Sequence, residues 1–237
     1  MIQRTRVRPF APALAFGAVA ALGACSPAEI RPDVTGIDDR AAWTVVNAER
    51  KVTKVTIEGA RVGLTMAPVG GDRQGSNVAM ALPAGVRFAT GTIDVDLRGR
   101  GPIDRSFVGV AFAVADDTHF EAVYFRPFNF RAADAEHRAR ALQYVAWPLH
   151  PWEDLRARSP GVYEAAVAPV PDPAQWFHAR IEVSCEAVRV FVDDGQQPCL
   201  VVKRLRGTDP DRTGDAVGLL VDSREGSFAD LRVTPAK

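Results

Sequence analysis

The feature that most constrains the fold is a succession of short β-type runs that fills almost the whole chain after residue 40. Val, Ile and Phe recur in these runs, often alternating with polar residues, and Gly, Pro and Asp separate them. This is the pattern of β-strands joined by turns. Strands without strand–helix alternation predict an all-β fold, an antiparallel sandwich or barrel. The candidate strands are 52–58, 61–66, 78–82, 86–97, 106–114, 119–126, 141–147, 176–184, 188–192, 200–204, 216–221 and 227–233.

Helical structure is expected to be minor. Only residues 132–140 and 152–158 have helix-like sequence, and both segments are short. Of the 237 residues, 47% are hydrophobic and 24% are charged, which is ordinary for a globular domain and excludes general disorder. A body of about 200 residues fits one β-sandwich. We therefore predict a single domain over residues 41–237.

Residues 1–24 have the layout of a secretory signal peptide. A basic head with Arg4, Arg6 and Arg8 precedes an apolar stretch over 10–22, as in such signals. The stretch is shorter than the roughly 20 residues that a transmembrane helix needs. The sequence Leu22-Gly23-Ala24-Cys25 resembles the bacterial lipobox, which implies a lipoprotein signal peptide and acylation of Cys25. An ordinary cleaved signal with an incidental cysteine is the alternative.

The residues that follow Cys25 predict where the protein resides. Ser26 follows the cysteine in place of Asp, which in lipoproteins of this kind implies the outer membrane, facing the periplasm or the cell surface. Residues 25–40 are polar and contain proline, so we expect them to form a tether. The membrane is then one partner of the protein, through the lipid on Cys25.

The charge balance argues against nucleic acid as the main partner. The chain carries 29 Lys and Arg residues and 29 Asp and Glu residues. Three of the arginines precede Cys25 without an acid, so the remainder has 26 basic and 29 acidic residues. Phosphate binding needs clustered positive charge, which this composition does not provide. We expect a monomer that binds no nucleic acid.

Two further cysteines are Cys185 and Cys199. A secreted chain enters an oxidising compartment, in which a disulfide can form. The alternation over 179–184 and the second β-run over 188–192 place Cys185 at a hairpin turn, and Cys199 follows the next turn. The two turns lie at opposite ends of the middle strand, about 15–20 Å apart. A disulfide needs Cα atoms within about 7 Å. We predict two free, largely buried thiols.

Aromatic and histidine residues are concentrated between residues 119 and 152. Three of the four histidines and eight of the 19 aromatic residues fall there. Aromatic rings stack on the apolar face of a sugar, and amide and guanidinium groups hydrogen-bond its hydroxyls. The alternative is that most of these rings are core, which we favour for Phe125, Phe128 and Phe130. The predicted carbohydrate-binding groove is lined by Tyr124, Arg126, Asn129, Gln143, Trp147, His150 and Trp152.

The order of β-type segments resembles a known superfold. The segments that carry the resemblance are 91–97, 106–112, 121–126, 176–181, 188–194 and the ending 217–219 with 228–233. They are similar to the concanavalin A-like, or laminin G-type, jelly roll, and in particular to the bacterial 3-keto-disaccharide hydrolase domains that are often labelled family-16-glycosidase-like. The resemblance covers roughly residues 40–235 and implies an antiparallel two-sheet jelly-roll sandwich. The superfold includes lectins, glycosidases and passive adhesion modules, so several functions stay open.

An enzyme acting on a glycoside or an oxidised sugar is the alternative that the resemblance implies. Family 16 glycosidases carry Glu-x-Asp-x-Glu on one strand, with the two catalytic carboxylates about 5–5.5 Å apart. The nearest counterpart here is 92–96, where Thr92 replaces the first carboxylate. A classical retaining mechanism on this strand is therefore not expected. The candidate acids and bases for the enzyme hypothesis are Asp94, Glu121, His150 and Glu164.

Cofactor motifs are weak throughout the sequence. The histidines lack zinc-binding spacing, and no Gly-x-Ser-x-Gly motif is present, so we predict no metal and no cofactor. Calcium at Asp116-Asp117 or Asp193-Asp194 is kept as an alternative, although turns use Asp for conformational reasons more often. A third hypothesis is a structural or adhesion module of the envelope, which extensive burial of Trp147 and Trp152 would favour.

Overall fold

A computed structural model describes residues 28–57, 59–69, 78–100, 106–206 and 214–236. The predicted signal peptide at 1–24 and the lipidation site at Cys25 lie outside these residues. Within them, no helix is long and apolar enough to cross a lipid bilayer.

The described residues form two sheets of seven strands each, and every strand pairing is antiparallel. This confirms the predicted all-β, two-sheet jelly-roll sandwich. Sheet 1 has the spatial order β1 (Trp43–Val46), β4 (Ala79–Pro83), β13 (Ala216–Asp222), β6 (Phe107–Val114), β7 (Phe120–Phe125), β8 (Leu142–Trp147) and β9 (Glu164–Ala165). Sheet 2 has the order β12 (Leu200–Lys203), β11 (Ala187–Val192), β10 (Phe177–Val183), β5 (Gly91–Gly99), β14 (Gly226–Pro235), β3 (Gly59–Pro68) and β2 (Ala48–Ile57).

The main core lies between the two sheets and follows from the alternation of the strands. Ile93, Val95 and Leu97 of β5 are completely buried, as their shared face predicts. Strand β10 alternates buried and partly exposed residues along its whole length. Phe125 of sheet 1 contacts Phe177 of sheet 2 edge to face, with ring centroids 5.1 Å apart. The centre of the sandwich is therefore packed with apolar side chains from both sheets.

The strands agree with the sequence-based prediction except at three places. Strands β1 and β9 were not predicted. They have four and two residues, which is too few to show a periodic pattern. Residues 86–90, predicted as part of one strand with 91–97, form no continuous strand with β5. Arg87 instead makes an isolated bridge to Ala216, and the N–H of Phe88 donates to the carbonyl of Asp215. This short segment therefore pairs near sheet 1 before the chain enters sheet 2.

Part of the predicted tether packs on the sandwich. Ile30 forms a bridge to Val233, and the Trp43 indole donates a 3.0 Å hydrogen bond to the carbonyl of Asp33. Val34 and Ile37 are buried. The apolar residues spaced through this polar segment are enough to attach it, so residues 30–37 lie against the domain and not apart from it.

The two cysteines are free, as predicted. Cys199 is partly buried, and its sulfur lies 3.1 Å from the carbonyl of Ala168. Burial raises the pKa of this thiol. Cys185 is exposed, so the prediction that both thiols are largely buried was wrong for it. It lies in the β10–β11 turn, outside the alternating pattern that buries side chains along the strands.

Two short helices complete the fold: α1 (Ala135–Ala139) and α2 (Trp152–Arg158). The bounds of α2 are those predicted from the sequence. Its first turn carries Glu153 and Asp154, and its last turn carries Arg156 and Arg158, which is the favourable arrangement for the helix dipole. Leu155 is buried, and α2 lies against sheet 1.

Candidate functional site

The outer face of sheet 1 has its own apolar cluster, separate from the main core. Side chains on the strands of this sheet alternate between the inter-sheet core and this second group, which includes no residue of sheet 2. We call it the outer cluster. Its buried members are Met80, Ala111, Val114, Phe120, Ala122, Tyr124, Val145, Leu155 and Leu220.

A row of residues crosses the outer face in register. Leu220 is opposite Gly109, Gly109 is opposite Tyr124, Tyr124 is opposite Gln143, and Gln143 is opposite Glu164. Directly paired residues in antiparallel strands point to the same side of the sheet. The row therefore changes from apolar near the middle of the sheet to polar at the β9 edge.

Aromatic rings surround this row. The rings of Phe107 and Tyr124 meet edge to face at 5.5 Å, and the ring of Phe120 stacks with Trp147 at 6.4 Å. The Arg126 guanidinium lies 5.0 Å from the Phe107 ring centroid and 5.2 Å from that of Tyr124. Arg126 also donates a 2.6 Å hydrogen bond to the carbonyl of Arg140. Its guanidinium is held firmly by two rings and a backbone acceptor.

Helix α2 covers the β9 side of the face. The Arg156 guanidinium lies 4.6 Å from the Trp152 ring centroid. It also donates to both carboxylate oxygens of Glu164: to Oε2 from Nη2 at 2.7 Å and from Nε at 3.0 Å, and to Oε1 from Nε at 3.2 Å. Trp147, Trp152 and Tyr163 pack around this region and are partly buried. The three rings are thus packed against the outer cluster and remain partly exposed.

Gln143 has a fixed amide orientation. Its Nε2 donates to the carbonyls of Tyr144 and Tyr163, at 3.1 and 3.0 Å. The residue is 1% exposed. Its Oε1 atom accepts no hydrogen bond from any described residue. A buried acceptor of this kind favours a donor partner.

The Tyr124 hydroxyl lies in a charged neighbourhood. Burial raises its pKa to about 12, while the nearby charges of Arg126 and Arg156 act in the lowering direction and those of Asp222 and Glu153 in the raising direction. The phenol is therefore protonated at neutral pH and is able both to donate and to accept a hydrogen bond.

The structure brings together five of the seven predicted binding residues. Tyr124, Trp147 and Trp152 contribute to the outer cluster or pack against it, Arg126 lies on the Phe107 and Tyr124 rings, and Gln143 pairs with Tyr124. The other two lie elsewhere. Asn129 is buried at the end of a 3₁₀ turn over Pro127–Asn129, and His150 pairs with Ala146 through its backbone.

Glu121, one of the four catalytic candidates, lies in the interior of the sandwich. Its carboxylate accepts a 2.7 Å hydrogen bond from the Tyr144 hydroxyl and is bound by Arg204 through Nε at 3.0 Å and Nη2 at 2.9 Å. Burial and the neighbouring Glu121 charge raise the pKa of Tyr144. The backbone N–H of Leu205 donates to the same hydroxyl at 3.1 Å. This carboxylate is part of a buried structural network.

Asp94 lies on the other side of the molecule, on the outer face of sheet 2. Its carboxylate is 3.1 Å from Nε2 of His178, and Asp96 is 2.8 Å from Nδ1 of the same ring. Burial would lower the pKa of His178, but the hydrogen bonds and charges of both carboxylates outweigh it and raise the pKa to about 9. The imidazole is therefore a cation at neutral pH and cannot serve as a base.

The four catalytic candidates do not converge. Glu121 lies between the sheets, Glu164 on the outer face of sheet 1, Asp94 on the outer face of sheet 2 and His150 at the β8 edge. Sequence reasoning missed Arg156, His178 and Arg204 as the partners of these acids. The alternation over 176–184 does place His178 on the polar side of its strand, which is the one signal available.

Neither Asp turn is arranged as a metal site. A carboxylate oxygen of Asp116 accepts hydrogen bonds from the backbone and side chain of Thr118 and from the backbone of His119. Asp193 accepts from the backbone N–H of His178. Across the described part of the chain, no group of three or more His, Cys, Asp or Glu side chains could hold a metal ion.

Comparisons with known proteins found distant similarities. No family model and no curated protein matches the chain. Among solved structures, a carbohydrate-binding module from Bacillus subtilis is 14% identical, with a TM-score of 0.49 over 82% of this chain and 96% of that one. A β-glucanase from Bacillus licheniformis is 9% identical, with a TM-score of 0.49 over 90% and 99%.

A third similar structure is a β-1,3-glucanase from Mycobacterium marinum, 13% identical with a TM-score of 0.44 over 82% of this chain and 91% of that one. Such distant matches concern the fold and not the activity. The sheet order described above confirms the jelly-roll sandwich that the sequence resemblance implied. The narrower resemblance to 3-keto-disaccharide hydrolase domains stays a prediction.

Proposed function

We propose that this protein binds a carbohydrate on the outer face of sheet 1 and is held in the bacterial envelope by a lipid on Cys25. One observation is the main support for the glycan site. Five side chains chosen from the sequence for sugar-binding chemistry are separated by up to 28 positions in the chain, yet meet at the outer face of sheet 1, Trp152 from helix α2 and the others from β7, β8 and the residue after β7.

The chemistry of this face suits a sugar. The Trp152 and Trp147 rings offer partly exposed apolar surfaces for the C–H face of a pyranose. The polar groups among those rings, the protonated Tyr124 hydroxyl and the Gln143 Oε1 acceptor, belong to buried residues, so the rings are the surface that a sugar first contacts. A binding site of this class combines apolar walls with a few fixed polar groups.

Binding is favoured over hydrolysis by the state of the acids. Glycoside hydrolysis uses two carboxyl groups, about 5–5.5 Å or 6.5–9.5 Å apart, that act on the substrate. Glu164, the candidate acid on the outer face, is bound by Arg156, and Glu121, in the interior, is bound by Arg204. Both carboxylates already have cationic partners, so neither is placed as a proton donor.

Glycan-array binding followed by calorimetry with the best oligosaccharide tests the glycan site. We expect the Trp147→Ala, Trp152→Ala double variant to lose most of the affinity, since stacking on an aromatic ring contributes about 1 kcal/mol or more per contact. Trp176→Ala is the matched control, because Trp176 is a partly exposed indole beside Arg98 and far from the outer cluster. Unchanged binding by the double variant would refute the site.

The lipid anchor rests on the sequence of residues 1–26 and is tested separately. Metabolic labelling with an alkyne fatty acid is expected to mark the wild-type chain and not Cys25→Ser. Cys185→Ser is the control, since Cys185 is an exposed thiol. Membrane fractionation should place the wild-type chain with the outer membrane. Label that persists in Cys25→Ser would contradict the anchor.

A further inference from the structure

A cavity of about 510 Å³ lies at one end of the sandwich and meets the outer cluster at Phe120. Volumes of about 300–1,000 Å³ are typical of small-molecule sites. Its walls come from the 87–90 segment, the start of β7, the β10–β11 turn and the chain on either side of the 207–213 segment. The lining residues are Arg87, Ala89, Thr90, Ala113, His119, Phe120, Glu121, Cys185, Arg204, Arg206, Gly214 and Asp215.

The acids of this cavity already have cationic partners. Arg204 binds Glu121 with two nitrogens and uses its remaining nitrogen on the carbonyls of Ala89 and Ser184. Arg87 forms an ion pair with Asp215. Within each pair, the arginine charge neutralises the carboxylate charge. Neither carboxylate therefore repels an incoming anion strongly.

Arg206 differs from the other two arginines. It makes no ion pair with any described residue. Its Nη2 donates a 3.0 Å hydrogen bond to the backbone carbonyl of Cys185. Its φ of 48° lies in the left-handed region, which a bulky residue seldom adopts. The guanidinium is thus anchored on one side at the cavity wall, and the described lining residues carry three arginines against two acids.

We propose that this cavity binds a sugar bearing an oxyanion, with the Arg206 guanidinium receiving the carboxylate of a sugar acid or the phosphate of a sugar phosphate. The planar fork of arginine matches either group. Phe120 supplies an apolar wall for the ring of the sugar, and Thr90 supplies a hydroxyl for hydrogen bonding. Among the described residues, the cavity shares Phe120 with the outer cluster, but none of the five side chains of the proposed glycan face lines it.

Isothermal titration of the full chain with four probes tests the proposal. The probes are glucuronate, glucose 6-phosphate, glucose and inorganic phosphate. We expect at least one of the two anionic sugars to bind, glucose to bind much more weakly, and inorganic phosphate to compete. Comparison of glucuronate with glucose 6-phosphate identifies which oxyanion the cavity takes.

Variants locate the binding. Arg206→Gln should weaken the anionic sugar about tenfold or more, and Arg206→Lys less, because lysine keeps the charge without the fork. Arg189→Gln, which removes an exposed arginine from β11 outside the cavity, should stay within about twofold. Circular dichroism checks that each variant folds.

Three results would overturn the proposal: no binding by any anionic probe, equal binding of glucose and glucuronate, or equal losses in Arg206→Gln and Arg189→Gln. Trp152→Ala distinguishes this site from the glycan face. If Trp152→Ala abolishes glucuronate binding while Arg206→Gln does not, the anion lies on the outer face of sheet 1 and this cavity is not its site.

Discussion

Arg156 Nη2 lies 2.7 Å from Glu164 Oε2, and this ion pair links helix α2 to strand β9 across the outer face of sheet 1. Both groups are largely shielded from solvent, with side chains 22% and 9% exposed. The same guanidinium lies on the Trp152 ring. One arginine therefore positions the helix, neutralises a carboxylate and supports an indole of the proposed glycan site.

Arg156→Gln should destabilise the fold more than the loss of an exposed ion pair would. It leaves Glu164 buried without its cation, which we expect to lower the free energy of unfolding by roughly 2–4 kcal/mol. Urea denaturation measures the loss. The control is Arg158→Gln, whose partner Asp154 lies one helical turn away in an exposed pair and contributes about 0.3–0.5 kcal/mol. Equal effects of the two variants would contradict the linking role of Arg156.

Variants that break the buried network of Glu121, Arg204 and Tyr144 should lower the free energy of unfolding. Glu121→Gln leaves the Arg204 charge without a counter-ion in the interior, and we expect a loss of about 3–5 kcal/mol in unfolding free energy. Tyr144→Phe, which removes one hydrogen bond to Glu121, should cost about 1–3 kcal/mol. Glu186→Gln on the exposed β10–β11 turn is the control, at under about 0.5 kcal/mol. A fully stable Glu121→Gln protein that lost a hydrolase activity would support the enzyme hypothesis instead.

The Asp94–His178–Asp96 cluster predicts a pH dependence of stability. The pKa of His178 is about 9 in the folded chain and 6.5 without its partners, so folding favours the protonated ring. The stabilisation is fully present below about pH 6.5 and is lost as pH rises through about 9, with an upper bound on the order of 3 kcal/mol. The measurement is the difference in unfolding free energy between the wild type and His178→Gln, at pH 6 and pH 10.

That difference should be large at pH 6 and small at pH 10. The comparison with the variant removes the contribution of other groups that titrate in this range. A difference that stays constant or grows with pH would show that His178 is not held as a cation by its two carboxylates.

The two described cysteines should differ in reactivity. Cys185 is exposed, whereas Cys199 is partly buried, hydrogen-bonded to Ala168 and has a pKa raised by burial. The thiolate is the reactive form, so iodoacetamide should modify Cys185 well before Cys199. Peptide mapping by mass spectrometry gives the two rates. Faster labelling of Cys199, or a disulfide between the two, would contradict the positions described.

The fold was largely predictable because it rests on local pattern. Alternation along β5 and β10 identified both faces of these strands, and the bounds of α2 could be read directly from the sequence. The aromatic concentration between 119 and 152 pointed to strands β7 and β8, whose rings divide between the main core and the outer cluster.

The cationic partners of the candidate catalytic acids could not be predicted from local sequence pattern. Glu121 meets Arg204, which is 83 positions away in the sequence, and Asp94 meets His178 at a separation of 84. Such contacts depend on sheet order and register, which a single sequence does not encode locally. The first part of the predicted tether likewise packs through long-range contacts such as Ile30 with Val233.

The most direct test of the glycan face follows the four indole N–H signals by NMR during titration with an oligosaccharide that the glycan array identifies. Trp147 and Trp152 are partly buried on the outer face of sheet 1, Trp43 is buried under the 30–37 segment, and Trp176 lies beside Arg98. The account predicts that the Trp152 and Trp147 signals shift in a saturable way while those of Trp43 and Trp176 stay still. Saturable shifts confined to Trp176 or Trp43, or no shift of any indole while the sugar binds, would contradict it.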